Sequence, residues 1–162
     1  MKRNIVQLAL LALLALVIVL VATACGGSSA PRVDWQVQVT GAVSNPLTIS
    51  YEELTKRDMV VLEDVFMRRS QGEDTTNTWE GPALMPILQE AGLSPNATAV
   101  ICSASDGYAR EMVLEELQDS IIALKEDGEW IAKGGDNPLR IIVPDKPANH
   151  WISHLVEMEV VE

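Results

Sequence analysis

Cysteine is scarce. The 162 residues contain only Cys25 and Cys102, and no Cys-x-x-Cys pair, which excludes the common zinc-ribbon and dithiol redox motifs. No Gly-x-Ser-x-Gly elbow is present, so a strand-to-helix serine nucleophile has no support. Gly134-Gly135 lacks the strand before and the helix after that let a glycine-rich turn cradle phosphate. Positive charge is the other shortage: 12 Lys and Arg stand against 23 Asp and Glu, for a net charge of −11. A phosphate backbone needs a positive footprint, so nucleic acid is excluded as a partner. Anionic lipid headgroups would repel the domain as well. There is no internal repeat and no heptad run.

What is present begins with a secretory pattern. Met1-Lys2-Arg3-Asn4 is short and basic, residues 8–22 are apolar and uncharged, and Ala22-Thr23-Ala24 precedes Cys25 with small side chains. That order of charge, apolar run and small-residue cleavage site reads as a signal peptide. A cysteine directly after the site resembles a lipobox, although Ala22 replaces the usual Leu. The expectation is a signal peptide at 1–24 and a lipid on Cys25, with the domain in the cell envelope outside the cytoplasm. The membrane is then a partner through that lipid. An uncleaved anchor is the alternative, because residues 5–22 approach the length that spans a bilayer. Residues 25–32 form a Gly/Ser-rich tether, and residues 33–162 suit one domain with one core. Loss of Lys2 and Arg3 moves the formal charge from −11 to −13, a solvated acidic surface that favours solubility.

Periodicity predicts many strands and few helices. Trp35, Val37 and Val39 alternate with Gln36, Gln38 and Thr40, a half-buried strand. Ser50-Tyr51-Glu52-Glu53 is a capping box before a short helix. Residues 59–66 read as a strand and residues 68–78, around Gly72, as a long loop. A helix is expected over 83–91, stopped by Gly92, with Pro86 confined to its first turn or causing a kink. Strands follow at 98–102, 111–114, 121–124, 139–143 and 155–161, and residues 114–117 read as a short helix. In the last strand Val156, Met158 and Val160 are expected to share one face. Asp127-Gly128 reads as a hairpin turn. The pattern predicts an α+β domain with a mixed sheet or open barrel.

Few residues invite chemistry. Cys102 lies in the apolar run 99–102 and reads as a small buried hydrophobe. His150 and His154 would make a metal pair only on a helix, and the prolines before them argue against one. The adjacent acids Glu52-Glu53 and Glu115-Glu116 read as solvated surface. Arg68, Arg69 and Arg140 stand out in so acidic a chain, because guanidinium forks suit phosphate or carboxylate. Arg140 starts a buried strand, where pairing with one of the many acids is the expectation.

Six pieces then occur in order: Trp35 to Gly41 with Asn45-Pro46-Leu47-Thr48; Tyr51-Glu52-Glu53-Leu54; Trp79-Glu80-Gly81-Pro82; Ser105-Asp106-Gly107-Tyr108; Gly135 through Arg140 to Pro144; and Met158-Glu159-Val160. Together they resemble the molybdopterin-binding domain of the sulfite oxidase family over nearly the whole chain from Trp35 onward. The resemblance implies a strand-rich α+β fold, a pterin that holds molybdenum, one protein thiolate on the metal, and arginines on the pterin phosphate. Its activity would be oxygen-atom transfer or reduction of oxidised sulfur and nitrogen compounds. The departures are specific. At the position of the family's metal-binding cysteine stands Asp64 or Glu63, and a carboxylate does not reproduce a soft sulfur donor. Ser153 aligns with the family's lysine near the final strand, and the family's upstream arginine-asparagine-histidine segment has no counterpart. Lys2-Arg3 is not a twin-arginine signal, so a chain exported unfolded would arrive without a cofactor. The expectation is therefore a non-catalytic binding or interaction module that carries no molybdopterin. Its candidate pocket is Arg68, Arg69, Trp79, Ser105, Asp106, Tyr108 and Arg140, and its partner an anionic small molecule or a protein. The alternative is a molybdopterin-dependent oxidoreductase with a non-cysteine ligand.

Overall fold

A computed structural model describes residues 29–69, 72–134 and 137–162. The signal segment, Cys25 and the tether up to Ser28 lie outside the described residues, as do Gly135 and Asp136. In chain order the elements are β1 (Gln36–Gly41), β2 (Leu47–Ser50), α1 (Tyr51–Thr55), β3 (Met59–Met67), β4 (Thr75–Pro82) and α2 (Leu84–Glu90). There follow β5 (Ala99–Ala104), β6 (Ala109–Val113), β7 (Ile121–Ala123), β8 (Lys125–Glu126), β9 (Glu129–Trp130), β10 (Arg140–Ile142) and β11 (Leu155–Val161). Single 3-10 turns occupy Leu114–Leu117, Ile131–Gly134 and Ala148–His150. The α+β expectation holds.

One sheet has the order β2-β1-β11-β5-β6, with β1 parallel to β11 and the other pairs antiparallel. Val37 and Val39 point into the core while Gln36 and Gln38 face solvent, as alternation requires. β11 departs from the expected face. A register shift between Leu155 and Glu157 changes the phase, so Leu155, Met158 and Val160 are buried and Val156 is only half-buried. β5 buries Cys102 completely between Met158 and Arg110 of its neighbours.

A second sheet has the order β3-β4-β8-β9, and β7 pairs with β10 alongside it. The join is tight at Gly81: a Cβ there would lie 2.0 Å from the Ile122 carbonyl oxygen. Leu124 N–H also donates to Glu80 O at 2.8 Å. The long loop expected over 68–78 is a correction. β4 starts at Thr75 and pairs back to Met67, so residues 75–78 of that span belong to a strand. Thr75, Thr76 and Thr78 are polar yet β-branched, and the ladder uses their backbone preference.

α1 carries the predicted capping box: Ser50 Oγ accepts from Glu53 N–H, and Glu53 accepts from Ser50 N–H at 2.8 Å. Pro86 sits at the third position of α2, where its missing N–H leaves no helical bond unmade. α2 buries Leu84, Ile87 and Leu88 in a core shared with Trp79, Ile122, Leu124, Ile141 and Leu155. Asp127 and Gly128 take positive φ, 50° and 80°, and close the β8–β9 hairpin.

Candidate functional site

β3 is an edge strand, and its pairing with β4 is interrupted between Leu62 and Val65. Glu63 and Asp64 fill that interruption, exposed, with Asp64 in the left-handed region at φ 53°. Opposite runs the segment from Pro144 to His154, here called the strap. Between the two lies a cleft of about 570 Å³, lined by residues 61–66, Arg68 and residues 144–147. Asp145 on the far wall also takes positive φ, 62°. Non-glycine residues held there are uncommon and concentrate at functional sites.

Behind the cleft, Leu62 pairs with Trp79, which is fully buried. The Trp79 ring meets Trp151 edge-on at 5.8 Å and receives the Arg140 guanidinium over its face at 5.5 Å. Trp79 Nε1–H is buried without a hydrogen-bond partner among the described residues. Arg140 Nε donates to Ser153 Oγ at 2.8 Å. The acidic partner expected for Arg140 is not there: among the described residues no carboxylate lies within 4 Å of it. Burial pushes its pKa below the ordinary value, and Arg69 adds repulsion that Glu126 opposes. A half-buried cation beside a second cation favours an anion.

The turn of residues 105–108 reaches the strap from the other sheet. Ser105 N–H donates to His154 O at 2.9 Å, and Tyr108 Oη donates to Asn149 O at 3.0 Å. Asp106 only closes its own turn, accepting from Tyr108 N–H at 2.9 Å. Gly107 supplies the φ of 88° that the turn needs. Ala148 N–H donates to Arg68 O at 3.0 Å. The strap thus joins Arg68, Ser105, Tyr108, Arg140 and Trp79, which the sequence singles out separately. Arg69 stays at the β3–β4 tip, its backbone N–H bound by Asp74 Oδ1 at 2.8 Å.

Sequence reasoning missed Arg110, Asn149, Trp151 and the role of His150. Arg110 Nη2 donates to His150 Nε2 at 2.9 Å, and Trp151 Nε1 donates to Val143 O and Lys146 O. Lys146 is paired with Glu116, whose carboxyl is held below its usual range first by that hydrogen bond. The run Asn149-His150-Trp151 after two prolines was the available signal, but it carries no periodicity. His154 takes φ 56°, and its backbone N–H meets Asn137 Oδ1 at 2.9 Å. Among the described residues no three His, Cys, Asp or Glu side chains converge as a metal site.

The residues fit one half of a metal–pterin cofactor. Arg140, held over the Trp79 face behind the cleft and without a carboxylate partner among the described residues, suits an anionic group such as phosphate. The metal's soft donor does not fit: the cleft offers Glu63 and Asp64, while burial seals Cys102 in the other sheet and pushes its thiol up to about 12.

Fold and site together define the class, a strand-rich cofactor-domain fold of oxidoreductases. The sulfane dehydrogenase SoxCD from Paracoccus pantotrophus has the same fold, with a TM-score of 0.72 at 20% identity over 82% of this chain and 40% of that one. The chain belongs to the oxidoreductase molybdopterin binding domain family, whose model matches residues 27–162. Similar proteins include the uncharacterized oxidoreductase YuiH of Bacillus subtilis (strain 168), 25% identical over 68% of this chain and 57% of that protein. Nitrate reductase [NADH] 1 of Phaseolus vulgaris is 23% identical over 68% of this chain, but the chain spans only 16% of its length. Nitrate reductase [NAD(P)H] of Hordeum vulgare is 26% identical, with 70% and 17% covered.

Proposed function

We propose that this chain is a lipid-anchored, extracytoplasmic binding module that uses the molybdopterin-binding fold to hold an anionic small molecule, without thiolate-ligated molybdenum. The signal-like segment and Cys25 support the anchor and the location outside the cytoplasm. One observation carries the absence of a thiolate ligand. The β3 interruption presents Glu63 and Asp64 to the cleft, and the described cysteine is sealed on β5. Losing the sulfur donor removes the soft coordination on which the metal's reactivity is tuned. The uncompensated Arg140 beside Trp79 supplies the attraction for the anion.

Calorimetric titration with inorganic phosphate and pyrophosphate tests this. Binding should weaken at least tenfold in Arg140→Met, about 1.4 kcal/mol, and by less in Arg69→Met. Equal affinity in wild type and Arg140→Met would contradict the reading. Labelled palmitate tests the anchor: uptake should vanish in Cys25→Ser, and persistent label in that variant would refute it.

A further inference from the structure

The strap forms one wall of the cleft and is held at its centre by a histidine that must be neutral. Arginine is always a donor, so the Arg110 Nη2 contact at 2.9 Å makes His150 Nε2 an acceptor. The ring proton then sits on Nδ1, facing Asn149 Oδ1 at 3.0 Å. Among the described residues Arg110 makes no other side-chain hydrogen bond, and its Nε is buried without a partner. The groups facing His150 come from three places: Arg110 on β6, Glu116 on the following 3-10 turn, and Lys146 with the Pro147 carbonyl on the strap. Glu116 is already paired with Lys146. A proton on Nε2 would therefore remove the one acceptor Arg110 has and set an imidazolium against two cations. Burial and Arg110 already hold the imidazole below its ordinary value of 6.5.

The strap's other ties near this point are the bonds from the buried Trp151 Nε1 to Val143 O and Lys146 O and three more. Ala148 N–H bonds Arg68 O, Tyr108 Oη bonds the Asn149 carbonyl, and Lys146 bonds Glu116. Residues 144–147, the cleft wall itself, are bounded by these ties and by the Ala148–His150 turn.

We propose that His150 is a proton-operated latch on the cleft: neutral, it ties the strap to β6 through Arg110, and on taking a proton at Nε2 it releases residues 144–150 and opens the cleft. The inference rests on the cleft being the ligand site, but the latch is tested without any ligand, so failure of anion binding and failure of the latch are separable. The expected response is local rather than global, because the β5–β11 ladder contains no histidine.

The test is backbone amide hydrogen exchange on the folded chain from pH 7.5 to 5, corrected for intrinsic exchange, with the His150 ring followed by nitrogen-detected NMR. Protection at Ala148, His150 and Trp151 should fall at least tenfold as the ring takes its proton, while Val100 and Val160 keep theirs. In His150→Gln, which retains an acceptor but does not titrate, strap protection should be independent of pH. Flat protection in the wild type through ring protonation, or the same loss in His150→Gln, would overturn the latch. Should His150→Gln not fold, Arg110→Gln serves instead. Removing that cation should raise the His150 midpoint by at least half a pH unit, and an unchanged midpoint overturns the proposal.

Discussion

Arg140 carries its charge into a half-buried position and meets a hydroxyl rather than a carboxylate. A buried, incompletely compensated ion is a liability to stability, whatever it does for binding. Arg140→Met should therefore leave folding stability unchanged or raise it by about 1 kcal/mol, measured by urea unfolding, while weakening anion binding. A large loss of stability would mean that Arg140 is structural. Asp64 is held at φ 53° without the freedom of glycine, a strain of roughly 1 kcal/mol. Asp64→Gly should recover about 0.5–1 kcal/mol. Cys102 should react with iodoacetamide at pH 8 only as fast as the protein unfolds, because its thiol is buried and pushed up to about 12. The sequence made Arg140 conspicuous as a rare cation before a buried strand. It did not reveal that the nearest partner is Ser153, thirteen residues away across a bridge that no periodicity encodes.

Strands with clean alternation or apolar runs were legible, because a single buried face dictates every second residue: β1 and β5 are examples. Two irregular strands were less so. In β3 and β11 a register shift adds a residue and reverses the phase, and nothing in the local pattern marks where. The start of β4 was hidden by threonine, polar by composition and β-forming by shape. The strap was invisible for a deeper reason: apart from one 3-10 turn it has no regular structure, and its order comes from the buried Trp151 and Ile152 and from hydrogen bonds to Arg68, Ser105, Tyr108, Arg110 and β10. Gly81 is where the second sheet closes on β7, and Gly81→Ala would drive a methyl group into the Ile122 backbone. That change should cost at least about 2–3 kcal/mol in urea or thermal unfolding, since a carbonyl cannot swing aside as a side chain can.

Across the whole molecule, acidification should destabilise the fold in two stages. The first belongs to His150. Its pKa in the fold lies below 6.5, so the unfolded chain binds the proton more readily. Stability present above about 6.5 is then lost as pH falls from there through the folded value. The second belongs to carboxylates held low by their partners: Glu116 by Lys146, Glu90 by Arg57, and Asp127 by the Thr78 N–H and the Asn77 amide. Their contribution is present above the ordinary carboxylate range and disappears as pH falls through the lowered values. Urea midpoints recorded against pH should show both stages in the wild type and only the second in His150→Gln. The net charge of −11 gives the chain an acidic surface that favours solubility and that anionic lipid headgroups repel. The most direct measurement is the molar ratio of molybdenum, and of fluorescent oxidised pterin, to protein isolated from its native cells. A cleft that presents carboxylates in place of sulfur predicts a molybdenum ratio near zero, and a ratio near one would contradict it.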